Sequence, residues 1–332
     1  MNKPNLYLVI ALFAQLGLGA VTWTTCESTT EKPSPKALLG IESSEIDEIE
    51  ITAPPPASGK DPDRIVLTRN GGKWEATSAA DFPVEKSKVT DVLDKLTALT
   101  AADPIAAKAA SHNALGVGET QYGKKITIRT KSGSRTFFIG DGPGESVHLR
   151  FDKKDEVFRA RGLSEWKVKS KVSDYIDSTY VKVDEETLTH VEVKRAEGTL
   201  TFSKQGETWT LAELPEGREL DEIKVDTFLA KVGDVALKTP VGKTIKPEYG
   251  LEQGVSVTLT YTKDDKAHHL EYTIGAEEGD NAFYLKSNDS EFVVTVSKWS
   301  VEQIRDKGPE DFAKRVEDTE PAAEEAMTGS IR

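Results

Sequence analysis

Two periodicities alternate along the chain between residues 41 and 307. Segments in which every second residue is apolar, such as 46–51 and 64–69, predict half-buried strands. Apolar residues at every third or fourth position from Val89 to Leu99 predict an amphipathic helix. The stretches KKITIRT and RTFFIG, and then SVHLRFD and EVFRARG, flank short turns and predict two β-hairpins. One helix against a mostly antiparallel sheet is an α+β arrangement.

The same pattern occurs twice, about 135 residues apart. The apolar positions of the predicted helix correspond one for one, and so do two pairs of tryptophans. A spacing of this size indicates a duplicated domain rather than a short solenoid repeat. We therefore predict two tandem homologous domains, residues 41–180 and 181–307, each a mostly antiparallel sheet with one or two packed helices. The matched positions are Val89, Val92, Leu93, Leu96 and Leu99 with Val225, Phe228, Leu229, Val232 and Val235, Trp74 with Trp209, and Trp166 with Trp299.

The N-terminal segment predicts where the protein resides. Residues 6–23 are almost entirely apolar, and a helix of this length spans roughly 27 Å, enough for a transmembrane helix. Lys3 precedes the segment and Glu27 follows it, so the positive-inside rule places the bulk of the chain on the extracytoplasmic, or periplasmic, side. Three interpretations of residues 1–26 remain open: an uncleaved single-pass membrane anchor, a cleaved secretory signal, and a lipoprotein signal with Cys26 as the lipidated residue.

Polar segments border the duplicated region on both sides. Residues 27–40 are mostly polar and include two prolines, which predicts a spacer between the membrane and the first domain. Residues 308–332 are polar and acidic, which predicts a disordered tail.

Composition narrows the classes of ligand. The chain has 43 Lys and Arg against 56 Asp and Glu, a net charge of −13, which argues against nucleic acid as a partner. A single cysteine excludes an intramolecular disulfide framework and a cysteine-based zinc site. The five histidines have no paired metal-binding spacing. We therefore expect no metal and no cofactor.

Motifs for catalysis are equally scarce. The cluster Gly140–Gly144 lacks the Lys-Ser/Thr of a phosphate-binding loop and leads into a strand rather than a helix. His268 and His269 are adjacent on a predicted strand, so their side chains point to opposite faces. The sequence contains neither a G-x-S-x-G nor an H-E-x-x-H motif. We predict a protein that is not an enzyme and assign no catalytic residue.

One segment has a net positive charge although the whole chain is negative. Between residues 150 and 171 there are eight basic and four acidic residues, which makes the segment a candidate contact for anionic lipid, glycan or an acidic partner. The alternative is a solvated hairpin and linker between the two domains. We call its basic members the basic strip: Arg150, Lys153, Lys154, Arg159, Arg161, Lys167, Lys169 and Lys171.

The order of these features resembles the bacterial domain-of-unknown-function family 4340. The resemblance spans roughly residues 41–305 and rests on Trp74 and Trp209, Tyr249-Gly250-Leu251, Ile139-Gly140 and Ile274-Gly275. The first copy departs from the pattern, because Leu115-Gly116-Val117 stands where Tyr-Gly-Leu is expected. The resemblance implies an extracytoplasmic accessory protein associated with ABC-type transport systems, including those linked to gliding motility. It implies no catalytic residue.

Three functions follow as hypotheses. The first is a non-enzymatic, membrane-tethered accessory protein that docks on an ABC-type permease or another cell-envelope complex. The second is a glycan- or lipid-binding module, which predicts an aromatic-lined groove between the domains with Trp166 or Tyr249 exposed. The third is an enzyme of unrecognised type, which requires polar groups that converge in a pocket. We expect Trp74 and Trp209 to seal the two cores.

Overall fold

The computed structural model of the protein describes residues 35–314, which form two antiparallel sheets and three α-helices. The mostly antiparallel α+β architecture is as predicted. The predicted transmembrane helix and Cys26 lie outside the described residues. Within residues 35–314, none of the helices has the length and apolar character that a membrane span requires.

The strands divide between the two sheets in chain order. The first sheet contains β1 (Lys36–Ala37), β2 (Ile46–Thr52), β3 (Arg64–Asn70), β4 (Lys73–Ala76), β5 (Phe82–Pro83), β6 (Thr100–Ala101), β7 (Lys124–Thr130), β8 (Gly133–Asp141), β9 (Ser146–Phe151) and β10 (Val157–Arg161). The second contains β11 (Thr179–Lys182), β12 (Leu188–Arg195), β13 (Gly198–Gln205), β14 (Thr208–Leu211), β15 (Asp234–Gly242), β16 (Val255–Lys263), β17 (Lys266–Glu277), β18 (Ala282–Ser287) and β19 (Val293–Ser297). The helices are α1 (Lys86–Thr97), α2 (Glu222–Gly233) and α3 (Lys298–Asp306).

Both sheets follow one strand order. The first runs β1-β6-β10-β9-β8-β7-β2-β3-β4-β5 and the second runs β11-β15-β19-β18-β17-β16-β12-β13-β14. The first nine positions correspond strand for strand, and β5 is an additional edge strand of the first sheet. The two hairpins predicted in the first half are present as the antiparallel pairs β7–β8 and β9–β10, and the second half repeats them as β16–β17 and β18–β19.

Each sheet buries one helix face in its own core. Helix α1 buries Val89, Val92, Leu93 and Leu96, the positions that its periodicity predicts. Helix α2 buries the matching residues of the second half. Trp74 is buried in the first core, as expected, whereas Trp209 is only partly buried against the second.

Three predicted boundaries are wrong, and at the two outer ones apolar residues beyond the boundary find partners far along the chain. Strand β1 lies within the predicted spacer but pairs with β6, and Leu39 after it is buried in the first core. Phe312 lies within the predicted tail but is fully buried, with its ring 5.1 Å from that of Phe202. Strand β11 also crosses the boundary predicted between residues 180 and 181.

The two halves contact each other around Phe82 on the edge strand β5, where Ala79, Val84 and Val172 also pack against both cores. Although β5 belongs to the first sheet, the Phe82 side chain lies in the core of the second half. Its ring packs edge-to-face on Phe292 with the centroids 4.7 Å apart. The amide of Glu85 donates to the carbonyl of Tyr175 at 2.8 Å, which holds the start of α1 against the connecting segment.

Candidate interaction surface

The Tyr-Gly-Leu motif of the second half is a backbone turn packed on the sheet. Gly250 has a left-handed φ of +61°, which glycine adopts without strain. Gly275 lies under this turn in β17, and a Cβ there would overlap the carbonyl oxygen of Tyr249. Tyr249 itself is buried, and its ring lies 4.4 Å from that of Tyr284. Both glycines are therefore required by close backbone approach, and the tyrosine is not available to a ligand.

The first half builds the same turn from Leu115-Gly116-Val117. Gly116 has a φ of +66°, and a Cβ on Gly140 would overlap the carbonyl oxygen of Leu115. The change from Tyr to Leu therefore leaves the backbone arrangement intact. The two turn motifs and their underlying glycines therefore serve backbone packing, and they present no reactive side chain.

The basic strip does not form one surface. Arg150, which we predicted as a partner contact, is only 2% exposed, so that prediction is wrong. Its guanidinium donates to the carbonyl of Val117 at 2.7 Å and to the carboxylate of Glu119 at 2.7 Å, and it stacks 4.5 Å above the ring of Phe138. Val117 and Glu119 lie more than thirty positions earlier in the chain, so local sequence could not reveal these two hydrogen bonds.

Other members of the strip are also used within the protein. Arg159 donates to the Ser146 hydroxyl at 3.3 Å and to the Pro143 carbonyl at 3.2 Å. Lys171 lies 3.7 Å from the carboxylate of Asp63. Four members are exposed, and their side chains make none of these hydrogen bonds or ion pairs within the described residues. Lys153 and Lys154 lie in the β9–β10 turn, Arg161 ends β10, and Lys169 follows the 3-10 helix after it.

A single-turn 3-10 helix after β10 presents an exposed tryptophan whose ring lies close to two lysines that follow it in the chain. Trp166 is 63% exposed, an unusual state for so large an aromatic side chain. The ammonium groups of Lys167 and Lys169 lie 5.8 Å and 5.6 Å from its ring centroid, within cation–π range. We call Trp166, Lys167 and Lys169 the Trp166 patch.

The turn that carries this patch is fixed on both sides. Glu165 accepts a hydrogen bond from Lys124 at 2.5 Å, and both side chains are largely buried. Lys167 pairs with Glu145 at 2.6 Å, and this contact lowers the pKa of Glu145. Leu163 before the turn is fully buried, so the backbone is anchored in the first core. The tryptophan is therefore held outward by a rigid frame.

The second half presents a tryptophan at the corresponding place. Trp299 follows β19, which has the same sheet position as β10, and it is 75% exposed near the start of α3. The Lys231 ammonium lies 4.9 Å from its ring centroid. Val301 and Ile304 anchor α3 in the second core. We call Trp299 and Lys231 the Trp299 patch.

The charges near the two patches differ. Lys298, beside Trp299, pairs with Glu277 at 3.2 Å and bonds through its amide to Asn281. The loop between these two partners also contains Glu278 and Asp280, so three acidic residues there stand against Lys231 and Lys298. At Trp166, Glu145 neutralises Lys167, and the exposed Lys169 leaves the patch with a positive charge.

The matched sequence region establishes the family. A family model described as "Domain of unknown function (DUF4340)" matches residues 74–254, more than half of the chain. The chain belongs to the DUF4340 family. The match begins at the buried Trp74 and ends just after the Tyr249 turn, so it includes the Trp166 patch but not Trp299. Neither the curated proteins nor the solved structures compared with the chain gave a match.

This DUF4340 protein has a cavity of about 520 Å³ where the two halves meet. Charged side chains from both halves line it, among them Asp63, Arg64, Lys171 and Lys238, together with small and apolar residues and no aromatic side chain. It therefore differs from the aromatic-lined groove that a glycan-binding module predicts. Within residues 35–314, no group of three His, Cys, Asp or Glu side chains is arranged to hold a metal ion.

Proposed function

We propose that this DUF4340 protein is a non-enzymatic, membrane-tethered accessory protein in the cell envelope that docks on an ABC-type permease or a related membrane complex. The observation that carries the proposal is the exposed Trp299 patch on a rigid helix. Tryptophan is among the residues that contribute most to the binding energy of protein interfaces, which makes an exposed tryptophan on an anchored helix a candidate contact. Residues 6–23 supply the proposed single-pass tether and place the two sheets on the extracytoplasmic side.

The arrangement of the two halves supports a docking role. Phe82 joins the first sheet to the second core, so the two exposed tryptophans belong to bodies that are held together by packing. A body of this kind can present two contact points at a fixed separation. Fixed geometry lowers the entropic cost of binding, because little surface has to be ordered in the complex.

A glycan- or lipid-binding module is the second candidate. The exposure of Trp166 favours it, since an accessible indole can stack on a sugar ring or enter a lipid headgroup layer. The burial of Tyr249 and the lining of the cavity between the halves count against a glycan groove. These observations leave a lipid surface as the better form of this candidate.

Affinity capture of the full-length protein from mildly solubilised membranes tests the proposed function. We expect an ABC-type permease and its ATPase at near-stoichiometric levels with the wild type, and their loss with Trp299→Ala. Ile245→Ala is the matched control, because Ile245 is another exposed apolar residue of the second half and should retain the partner. Recovery of the wild-type protein alone would overturn the accessory function. Retention of the permease by Trp299→Ala would overturn the assignment of the docking surface.

A further inference from the structure

We propose that the Trp166 patch rests in the headgroup layer of an anionic bilayer and so orients the protein on the membrane that holds it. The inference rests on the tether of the proposed function, but it concerns a different surface from the Trp299 patch. The occupant is the lipid surface itself, recognised by one indole ring and two ammonium groups.

The described chain starts at the strand ends where the patch also lies. Ala37 in β1 pairs with Thr100 in β6, and Thr100 pairs with Arg161 at the end of β10. Neighbouring strands lie about 4.8 Å apart, so Ala37 and Arg161 are separated by roughly 10 Å. Trp166 follows Arg161 by five residues. Glu165 and Lys167, on either side of Trp166 in the chain, pair with Lys124 at the start of β7 and with Glu145 between β8 and β9. The patch therefore lies at the same ends of the strands as Ala37 and Arg161, but several strands away from β1.

The linking residues limit the distance from the bilayer. Residues 24–35 connect the apolar segment 6–23 to β1. Even a fully extended chain of this length spans no more than about 40 Å. The linker therefore keeps the start of the first sheet close to the bilayer and lets the strand ends that carry Trp166 reach its surface.

The chemistry of the patch suits the headgroup layer of an anionic membrane. Tryptophan is enriched at membrane interfaces because its ring is apolar and its N–H group remains hydrogen-bonded. Both lysines lie within cation–π range of the ring; Lys167 is paired with Glu145, and Lys169 is exposed. Basic residues at this depth are attracted to anionic lipids.

The Trp299 patch provides an internal comparison. It has an indole of similar exposure at the corresponding strand end, but the adjoining loop contains Glu277, Glu278 and Asp280. An anionic surface repels those carboxylates. Charge therefore selects Trp166, and not Trp299, as the tryptophan that contacts lipid.

The test uses the full-length chain in lipid nanodiscs that contain brominated phosphatidylcholine, with or without an equal part of phosphatidylglycerol. Subtracting the emission of Trp166→Phe from that of the wild type isolates the signal of Trp166 from the other four tryptophans. We expect this signal to shift to shorter wavelength and to be quenched by bromine in the anionic discs. In discs without phosphatidylglycerol the quenching should fall severalfold.

Two further variants separate lipid contact from general effects. Lys169→Glu reverses an exposed charge while the backbone carbonyl of residue 169 still accepts its bond from Tyr175, so quenching in anionic discs should fall to the level of the uncharged discs. Lys231→Glu, the corresponding change beneath Trp299, should leave the Trp166 signal unchanged. The Trp299 signal, isolated with Trp299→Phe, should remain accessible to aqueous acrylamide.

Each remaining outcome counts against the proposal. If the protein enters the discs but the Trp166 signal is unquenched, the patch faces water or protein and the inference is wrong, while the tether stands. If quenching is equal in charged and uncharged discs, recognition of anionic lipid is wrong. If the full-length chain does not enter the discs at all, both the tether and the inference fail.

Discussion

Replacing Phe82 with alanine should release the first half of the protein from the second. Phe82 is 8% exposed, and its truncation removes the edge-to-face contact with Phe292 at 4.7 Å. Phe→Ala in a core costs about 3 to 5 kcal/mol, and we expect about 3 kcal/mol here because the vacated space adjoins an edge strand and solvent can fill it. Ala80 and Asp81, just before Phe82, have left-handed φ values of +56° and +61°. This conformation costs roughly 1 to 2 kcal/mol per residue. Removing the ring therefore leaves about 2 kcal/mol of strain, opposed by the smaller contacts of Ala79, Val84 and Val172 with the second core.

Hydrogen–deuterium exchange of the full-length protein measures the release. A loss of about 3 kcal/mol corresponds to a roughly hundredfold rise in exchange for amides protected by this contact. The rise should appear in residues 82–85 and in residues 290–294 around Phe292. Phe82→Leu, which keeps most of the apolar volume, should raise exchange by no more than about tenfold in the same peptides.

A matched core variant tests whether the effect is specific to the contact between the halves. Leu67 is fully buried in the first core and does not touch the second, so Leu67→Ala should cost a similar free energy and raise exchange in the first sheet only. The reasoning is refuted if Phe82→Ala leaves residues 290–294 protected. It is refuted equally if Leu67→Ala exposes those residues as much as Phe82→Ala does.

Three further changes test backbone strain, close approach and a buried hydroxyl. Ala80→Gly should stabilise the protein by about 0.5 to 1 kcal/mol, because relief of left-handed strain exceeds the added chain entropy, and a lower midpoint of thermal unfolding would contradict this. Gly275→Ala should destabilise by about 3 kcal/mol, since its Cβ would overlap the Tyr249 carbonyl, and an unchanged urea midpoint would contradict it. Burial raises the pKa of Tyr272, whose hydroxyl donates to the Val232 carbonyl at 2.9 Å. An unfolded tyrosine ionises near pH ~10, so this stabilisation is complete below that pH and is lost as the pH rises above it. Tyr272→Phe should lower the free energy of unfolding at neutral pH by about 1 to 3 kcal/mol, and it should reduce the further loss of stability above pH ~10. Urea unfolding at neutral and at alkaline pH would show both effects.

Features that depend on neighbouring residues could be predicted from the sequence. The period-two alternation in 46–51 specifies a strand whatever it pairs with, because one face must be buried. The spacing from Val89 to Leu96 specifies the buried face of α1 for the same reason. The hairpins could be predicted because only short turns separate their paired strands, so the pairing depends on neighbouring residues.

Features that depend on distant partners could not be predicted. Arg150 belongs by sequence to a basic segment, but the Val117 carbonyl and the Glu119 carboxylate that it binds lie in the loop before β7. Phe82 precedes the helix of the first half, and nothing near it indicates a place in the second core. Phe312 lies in polar surroundings, where a single aromatic residue has no periodicity to reveal its burial. In each case a long-range contact determines the role of the side chain.

The glycines of the family motif are explained by the fold, whereas the two exposed tryptophans are not. Gly140 and Gly275 recur in both halves because a strand approaches an overlying turn too closely for any side chain, so their recurrence reports the fold. Trp166 and Trp299 also stand at the ends of corresponding strands, but their indole rings are exposed and belong to neither core, so packing does not account for them. The charges beside the two rings differ, because an exposed lysine adjoins Trp166 and an acidic loop adjoins Trp299. An indole beside a lysine suits an anionic lipid surface, whereas an indole beside an acidic loop does not. Under our two proposals Trp166 contacts a membrane and Trp299 contacts a protein partner, and the nanodisc and capture experiments test the two contacts separately.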